Sequence, residues 1–299
     1  MAEELLWERR PQLEQPVLVA AFRGWNDGGH GASLAAGYLA RVWDARRFAE
    51  IDAEGFFDFQ STRPQVQLID GISRRIDWPE TVFYHARPEG FDRDVVLLLG
   101  VEPNYRWRTF AGLVSDLAHS LGVEMVVTLG SLLADVPHTR PAPVTGSAND
   151  PTMIEQLGLS ASRYEGPTGI VGVLHDACAR SGLPSASLWA AVPHYVQLTP
   201  SPRAAKALVE RLGELLGIPV DVTELDEASE AYAQQVSEAV AVDAETQAYV
   251  EELEQRVDEL TGDEEQQLPS GDALAAELTR YLREQEERRR GDDDAARGG

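Results

Sequence analysis

Apolar residues fall along this chain in two rhythms. Val17–Phe22 (VLVAAF), Val95–Leu99 (VVLLL), Met125–Leu129 (MVVTL) and Ser187–Val192 are short runs, apolar at most positions. Strands with both faces covered read this way, because neither face needs polar side chains for water. After the first run, Leu34, Tyr38, Leu39 and Val42 recur at helical spacing. Phe110–Leu121, Gly169–Ala179 and Arg203–Leu216 read as further helices, the last closed by Gly217 and Pro219. Strands alternating with helices predict a mostly parallel sheet covered on both sides, a doubly wound α/β domain in three α/β/α layers. Residues 46–86 predict shorter strands around an Asp70-Gly71 turn, at a mixed edge of that sheet.

Beyond Val220 the rhythm becomes that of long charged helices. From Tyr232 to Leu260 a seven-residue frame puts Val236, Asp243, Val250 and Val257 in one position and Ala239, Thr246, Leu253 and Leu260 in another. Asp243 and Thr246 weaken the middle of that seam, which favours a helix packed on its own domain over an intermolecular coiled coil. Asp272–Arg290 resumes the pattern with Leu274, Leu278 and Leu282 on one face, so a helical hairpin is expected. The organisation read from this is an α/β/α domain over 1–220, an acidic helical extension over 221–290 and a disordered tail over 291–299.

Charge sharpens the boundary. Residues 1–220 hold 26 acids and 19 bases (net −7), while 221–299 hold 24 acids and 7 bases (net −17), which together make the −24 of the chain. A surface of that sign repels phosphate, and Lys206 is the only lysine, so nucleic acid is not an expected partner. The single cysteine, Cys178, excludes an internal disulfide framework and suits a reducing cytoplasm. The N-terminal MAEELLWERRPQLEQP lacks the apolar run of a signal peptide, and no stretch reaches the roughly 18 apolar residues of a membrane span, so no membrane association is expected.

Ligands of open α/β sheets bind at loops beyond the carboxyl ends of strands, and four such loops are unusual here. The first holds Arg23, Trp25, Asn26 and Asp27 before Gly28-Gly29; either a helix cap or an anion site fits it. The second, the extended segment 129–150, brings Asp135, His138 and Arg140 close in sequence, as a general base or a rigid proline-rich loop. The third, Glu165–Gly172, places Thr168 where it would cap the next helix. The fourth, Trp189–Arg203, carries His194 and Tyr195, either for proton transfer or as hydrogen-bonded structural residues. There is no G-x-S-x-G, H-E-x-x-H, paired C-x-x-C or Walker motif, so no catalytic residue, cofactor or metal is assigned.

Together, FRGWNDGG, LGSLLADVPHTRPAPVTGSA, YEGPTGIVGVL and SLWAAVPHYVQLTPSPRA resemble the bacterial branch of the proteasome assembly chaperone 2 family, over roughly residues 15–260. The resemblance implies a core similar to the purine nucleoside phosphorylase-like α/β/α sandwich, in a protein that associates with itself, with a trimer among the assemblies considered, or with proteasome subunits. Archaeal relatives are expected to end in a hydrophobic-tyrosine-variable tail, whereas this sequence ends Ala-Arg-Gly-Gly. The expectation is a non-enzymatic, homo-oligomeric protein-binding scaffold or assembly chaperone. The alternative is a small-molecule binder or nucleoside phosphorylase- or hydrolase-like enzyme using the strand-end loops.

Overall fold

The computed structural model describes residues 4–262, apart from 149 and 163. Four parallel strands form the centre of an eight-stranded sheet: β7 (Val95–Val101), β2 (Val17–Arg23), β8 (Met125–Ala134) and β10 (Ser185–Pro193), side by side in that order. On the β7 side, β6 (Thr81–Ala86), β3 (Arg46–Ile51) and β1 (Leu5–Trp7) continue the sheet antiparallel; on the other, β9 (Val144–Ala148) pairs antiparallel with β10.

Six consecutive residues of β2, Val17 to Phe22, are buried, as a central strand between two helical layers requires. Alternation sends Val17, Val19 and Ala21 to one core, with α1 (Gly31–Val42) and α5 (Pro202–Leu216). Leu18, Ala20 and Phe22 go to the other, with α2 (Trp107–Ser120) and α4 (Ile170–Ser181). The result is the three-layer α/β/α sandwich that the apolar runs predict. A short helix, α3 (Pro151–Leu157), follows β9, its start capped by Asp150, which accepts from Met153 N at 3.0 Å. Ser201 and Pro202 open α5, and Gly217, with φ 70°, ends it in the left-handed conformation expected of that glycine.

Several details differ from the sequence reading. Much of the segment read as one extended loop over 129–150 is strand: β8 runs on to Ala134 because β10 pairs with it through Pro193, and β9 forms against the far side of β10. In the mixed edge region, β4 (Gln65–Ile69) and β5 (Ser73–Asp77) leave the main sheet as a separate two-stranded hairpin. The continuous helix expected to Leu260 is two, α6 (Thr223–Val240) and α7 (Ala244–Gly262). The break falls at Asp243, whose carboxylate accepts from Glu245 N and Thr246 Oγ1; a short acidic side chain competing for backbone donors favours a cap over a helix interior. Val236, Val250 and Leu253 of the seven-residue frame are buried within the chain itself. The helix expected over Asp272–Arg290, the hairpin it would complete and the 291–299 tail lie outside the described residues.

Candidate functional site

The candidate residues gather at the carboxyl ends of β2, β7, β8 and β10, but in two separate networks. In the first, Asp27 and Asn26 are buried just after β2. Asp27 Oδ1 accepts from Ala32 N at 2.9 Å and Ser33 N at 3.1 Å, closing the amino end of α1 at the position where no residue side chain caps it directly. Ser131 of β8 donates to the same oxygen at 3.3 Å and to Gly28 O at 2.8 Å. The other carboxylate oxygen, Oδ2, is buried without a hydrogen-bond partner among the described residues.

Glu102, directly after β7, joins this loop to the start of α4. Its Oε1 accepts from Asn26 Nδ2 at 3.0 Å and from Ile170 N at 2.8 Å, while Oε2 accepts from Trp25 N at 3.2 Å. Gly24 and Gly169 let the backbones close in, since a Cβ on either would lie within 3 Å of Glu102 or Asn26 atoms. Thr168, read as the cap of α4, is exposed and gives no cap bond; the partly buried carboxylate of Glu102 takes the Ile170 N–H instead. Trp25 keeps its ring exposed. Arg23 and Gly24 border a cavity of about 1120 Å³ between the sheet edge and the β4–β5 hairpin.

The second network lies over β8 and β10 and is covered by α6 and α7. His138 is buried; its backbone N–H donates to Tyr195 Oη at 2.8 Å, and the hydroxyl lies 2.8 Å from His138 Nδ1. A neutral imidazole carries one ring proton, so one of its nitrogens donates and the other accepts; Nε2 lies 2.9 Å from Ser237 Oγ of α6. Burial lowers the His138 pKa, and pushes that of Tyr195 up to about 12, so both groups are held neutral by the same exclusion of water. Asp135 Oδ1 accepts from Tyr249 of α7 at 2.8 Å and lies 3.1 Å from His194 Nδ1, while the rings of His194, Tyr195 and Tyr249 meet edge to face. Arg140 forks onto both oxygens of Asp258 at 2.8 and 2.7 Å, and Thr139 donates to Glu254. Arg203, half buried with its pKa lowered by desolvation, donates to Arg140 O at 2.7 Å.

Asp135, His138, Arg140, His194 and Tyr195 therefore converge, and Asp27 does not join them. Asp135, His138 and Arg140 bond directly to the acidic helices, and Tyr195 and His194 brace them from within the domain. Further along the same seam Arg41 of α1 forks onto Glu224, and Lys206 of α5 meets Asp226 at 2.5 Å. Sequence reasoning missed Glu102, Ser131 and the α6–α7 partners Ser237, Tyr249, Glu254 and Asp258. Glu102 carried a signal, a carboxylate directly after an apolar strand; the helix residues carried none, being ordinary polar positions of amphipathic helices. Among the described residues no three side chains are placed to hold a metal ion, and no helix is long and apolar enough to cross a membrane.

Comparison with known proteins places these residues within a wider group. Residues 21–240 match the model of the PAC2 family. A PAC2 family protein from Streptomyces avermitilis is 47% identical, with a TM-score of 0.74 over 79% of this chain and 99% of its own. A proteasome-assembly chaperone homologue from Mycobacterium tuberculosis is also 47% identical, with a TM-score of 0.72 over 78% of this chain and 99% of its own. An archaeal proteasome activator from Pyrococcus furiosus shares the fold at 20% identity, with a TM-score of 0.64 over 79% of this chain and 97% of its own. No curated protein matches the chain.

Proposed function

The chain belongs to the PAC2 family, and on that footing we propose that it is a non-enzymatic, homo-oligomeric scaffold or assembly chaperone for proteasome subunits, acting in the cytoplasm. One observation carries the reading. The loops after β8 and β10, part of the strand-end face where an α/β enzyme opens its cleft, are covered by α6 and α7, and His138, Arg140 and Tyr195 are engaged in holding or supporting those helices. The outward side of α6 and α7 is rich in Glu and Asp, a surface suited to charge-guided contact with another protein. The 47% identical mycobacterial relative, described as a proteasome-assembly chaperone homologue, directs the choice of partner. In this reading the α/β/α domain over 1–220 supplies self-association and the extension over 221–290 supplies partner specificity.

Affinity purification of the full chain from a lysate of its native cell, read by mass spectrometry, is expected to recover proteasome subunits. Repeated recovery of none overturns the assignment of partner. Light scattering at micromolar concentration is expected to give a multiple of the chain mass, and a clean monomer overturns the oligomeric part.

A second reading, a small-molecule binder or nucleoside phosphorylase- or hydrolase-like enzyme at the strand ends, is favoured by the buried, unpartnered Oδ2 of Asp27 and by the cavity that Arg23 borders. It predicts a thermal shift with nucleosides or phosphate that Asp27→Asn or Arg23→Ala abolishes. No shift with any of them counts against it.

A further inference from the structure

The β4–β5 hairpin is the part of the surface that packing within the chain leaves unexplained. Its strands form a sheet of their own, and every residue of β4 is exposed. A lone two-stranded hairpin is marginal in water, because two strands bury too little apolar area. Its faces are also the reverse of what folding onto its own domain would need. Gln65, Gln67, Arg75 and Asp77 share one face and line the cavity of about 1120 Å³ beneath the hairpin. The opposite face pairs Val66 with Ile76 and Leu68 with Arg74, and of these only Ile76 reaches the cavity rim. Val66, Leu68 and Ile76 are 59%, 61% and 51% exposed, and Ile72 at the turn is 88% exposed. The inward face is polar but for Ile69 and the outward face apolar but for Arg74, which is the pattern of a surface covered by another molecule.

Charge indicates which molecule. The chain carries −24, so copies of it repel one another over most of their surfaces. Residues 63–78 depart from that sign: Arg63, Arg74 and Arg75 against Asp70 and Asp77 leave a net +1. Twofold-related hairpins lying antiparallel bring Asp70 at one tip toward Arg63 at the base of the other, so two identical hairpins complement each other in sign as well as in apolar face. We infer that the outward face of the β4–β5 hairpin is a contact between copies of this chain, apolar face against apolar face. The inference rests on the self-association proposed above and names its surface.

The test is sedimentation velocity of the full chain and of the triple variant Val66→Ser, Leu68→Ser, Ile76→Ser, all three at exposed positions. The expected result is an oligomer for the natural sequence and a smaller species for the variant, with the same melting temperature for the dissociated chain. Should the variant fold poorly, Leu68→Cys decides: Cys178 is buried and is the only natural cysteine, so a short bis-maleimide links copies only through the hairpin. An oligomer that survives the triple substitution, or that Leu68→Cys fails to cross-link, overturns the hairpin contact and leaves self-association standing. A natural chain that stays monomeric overturns both, and capture of a foreign protein by the hairpin of such a monomer reassigns the face to that partner.

Discussion

His138 Nε2 lies 2.9 Å from Ser237 Oγ, a bond between residues 99 positions apart that fastens α6 over the carboxyl end of β8. The same imidazole faces the half-buried Tyr195 hydroxyl through Nδ1, so its removal leaves that hydroxyl short of a partner, while the exposed Ser237 hydroxyl turns to water. His138→Ala is expected to destabilise the chain by about 1–2 kcal/mol, through the lost packing of a buried ring and the loss of ordinary hydrogen bonds. Urea unfolding reads the loss, and hydrogen exchange should quicken in α6 before the central strands. Unchanged exchange in α6 would mean that apolar packing alone holds the helix.

Arg140 and Asp258 form a forked pair at the far end of the same seam, with the two side chains 32% and 57% exposed. Solvent screens such a pair, so Arg140→Ala is expected to cost below about 1 kcal/mol. Its mark should be local: faster exchange in α7, and a difference from the natural chain that shrinks as salt approaches about 1 M, where screening is short-ranged. A loss above the range for exposed pairs, insensitive to salt, would contradict this account.

Glu102 holds three donors from two loops, Asn26 Nδ2, Trp25 N and Ile170 N. Hydrogen bonds to a charged acceptor are the stronger kind, and Glu102→Ala is expected to cost about 2–4 kcal/mol in urea unfolding. Glu102→Gln keeps one acceptor and turns a donor toward another donor, so it should fall between. If Glu102→Gln proves as damaging as Glu102→Ala, the carboxylate acts through charge rather than as an acceptor.

His175 of α4 is partly buried, its ring held between Thr128, at 2.9 Å from Nε2, and Ser185, at 2.8 Å from Nδ1, and desolvation of the ring lowers its pKa to about 4. The unfolded chain then binds the proton more readily than the folded one, so stability rises with pH between about 4 and the unfolded value near 6.5. The stabilisation is fully present above about pH 6.5 and is lost as pH falls toward 4, by on the order of 3 kcal/mol. His175→Gln should lower stability at neutral pH and flatten this dependence, as chemical denaturation across that range would show. A slope unchanged by His175→Gln would assign the acid sensitivity to other groups.

Particular residues show why some of this was legible in sequence. Val17–Phe22 announced a central strand because a strand covered on both faces cannot afford polar alternation. Leu5–Trp7 did not announce β1, since an edge strand of three residues amid charges carries no period long enough to read. Val144–Ala148, with Pro141 and Pro143 before it, looked like loop because an edge strand tolerates small polar side chains that a central one does not. Asp243 was recognisable as a flaw in the heptad frame, but that it ends the helix depends on the bonds its carboxylate makes.

The central strands, the covering helices and the charge asymmetry follow from the order of residues alone, because burial and net charge are imposed residue by residue. The roles of Asp135, His138, Arg140, His194 and Tyr195 follow from packing. Their partners, Ser237, Tyr249 and Asp258, lie about a hundred positions away on helices whose polar residues look alike until packing selects which ones face the domain. A hydrogen bond depends on distance and direction in space, and neither is written in the local order of residues.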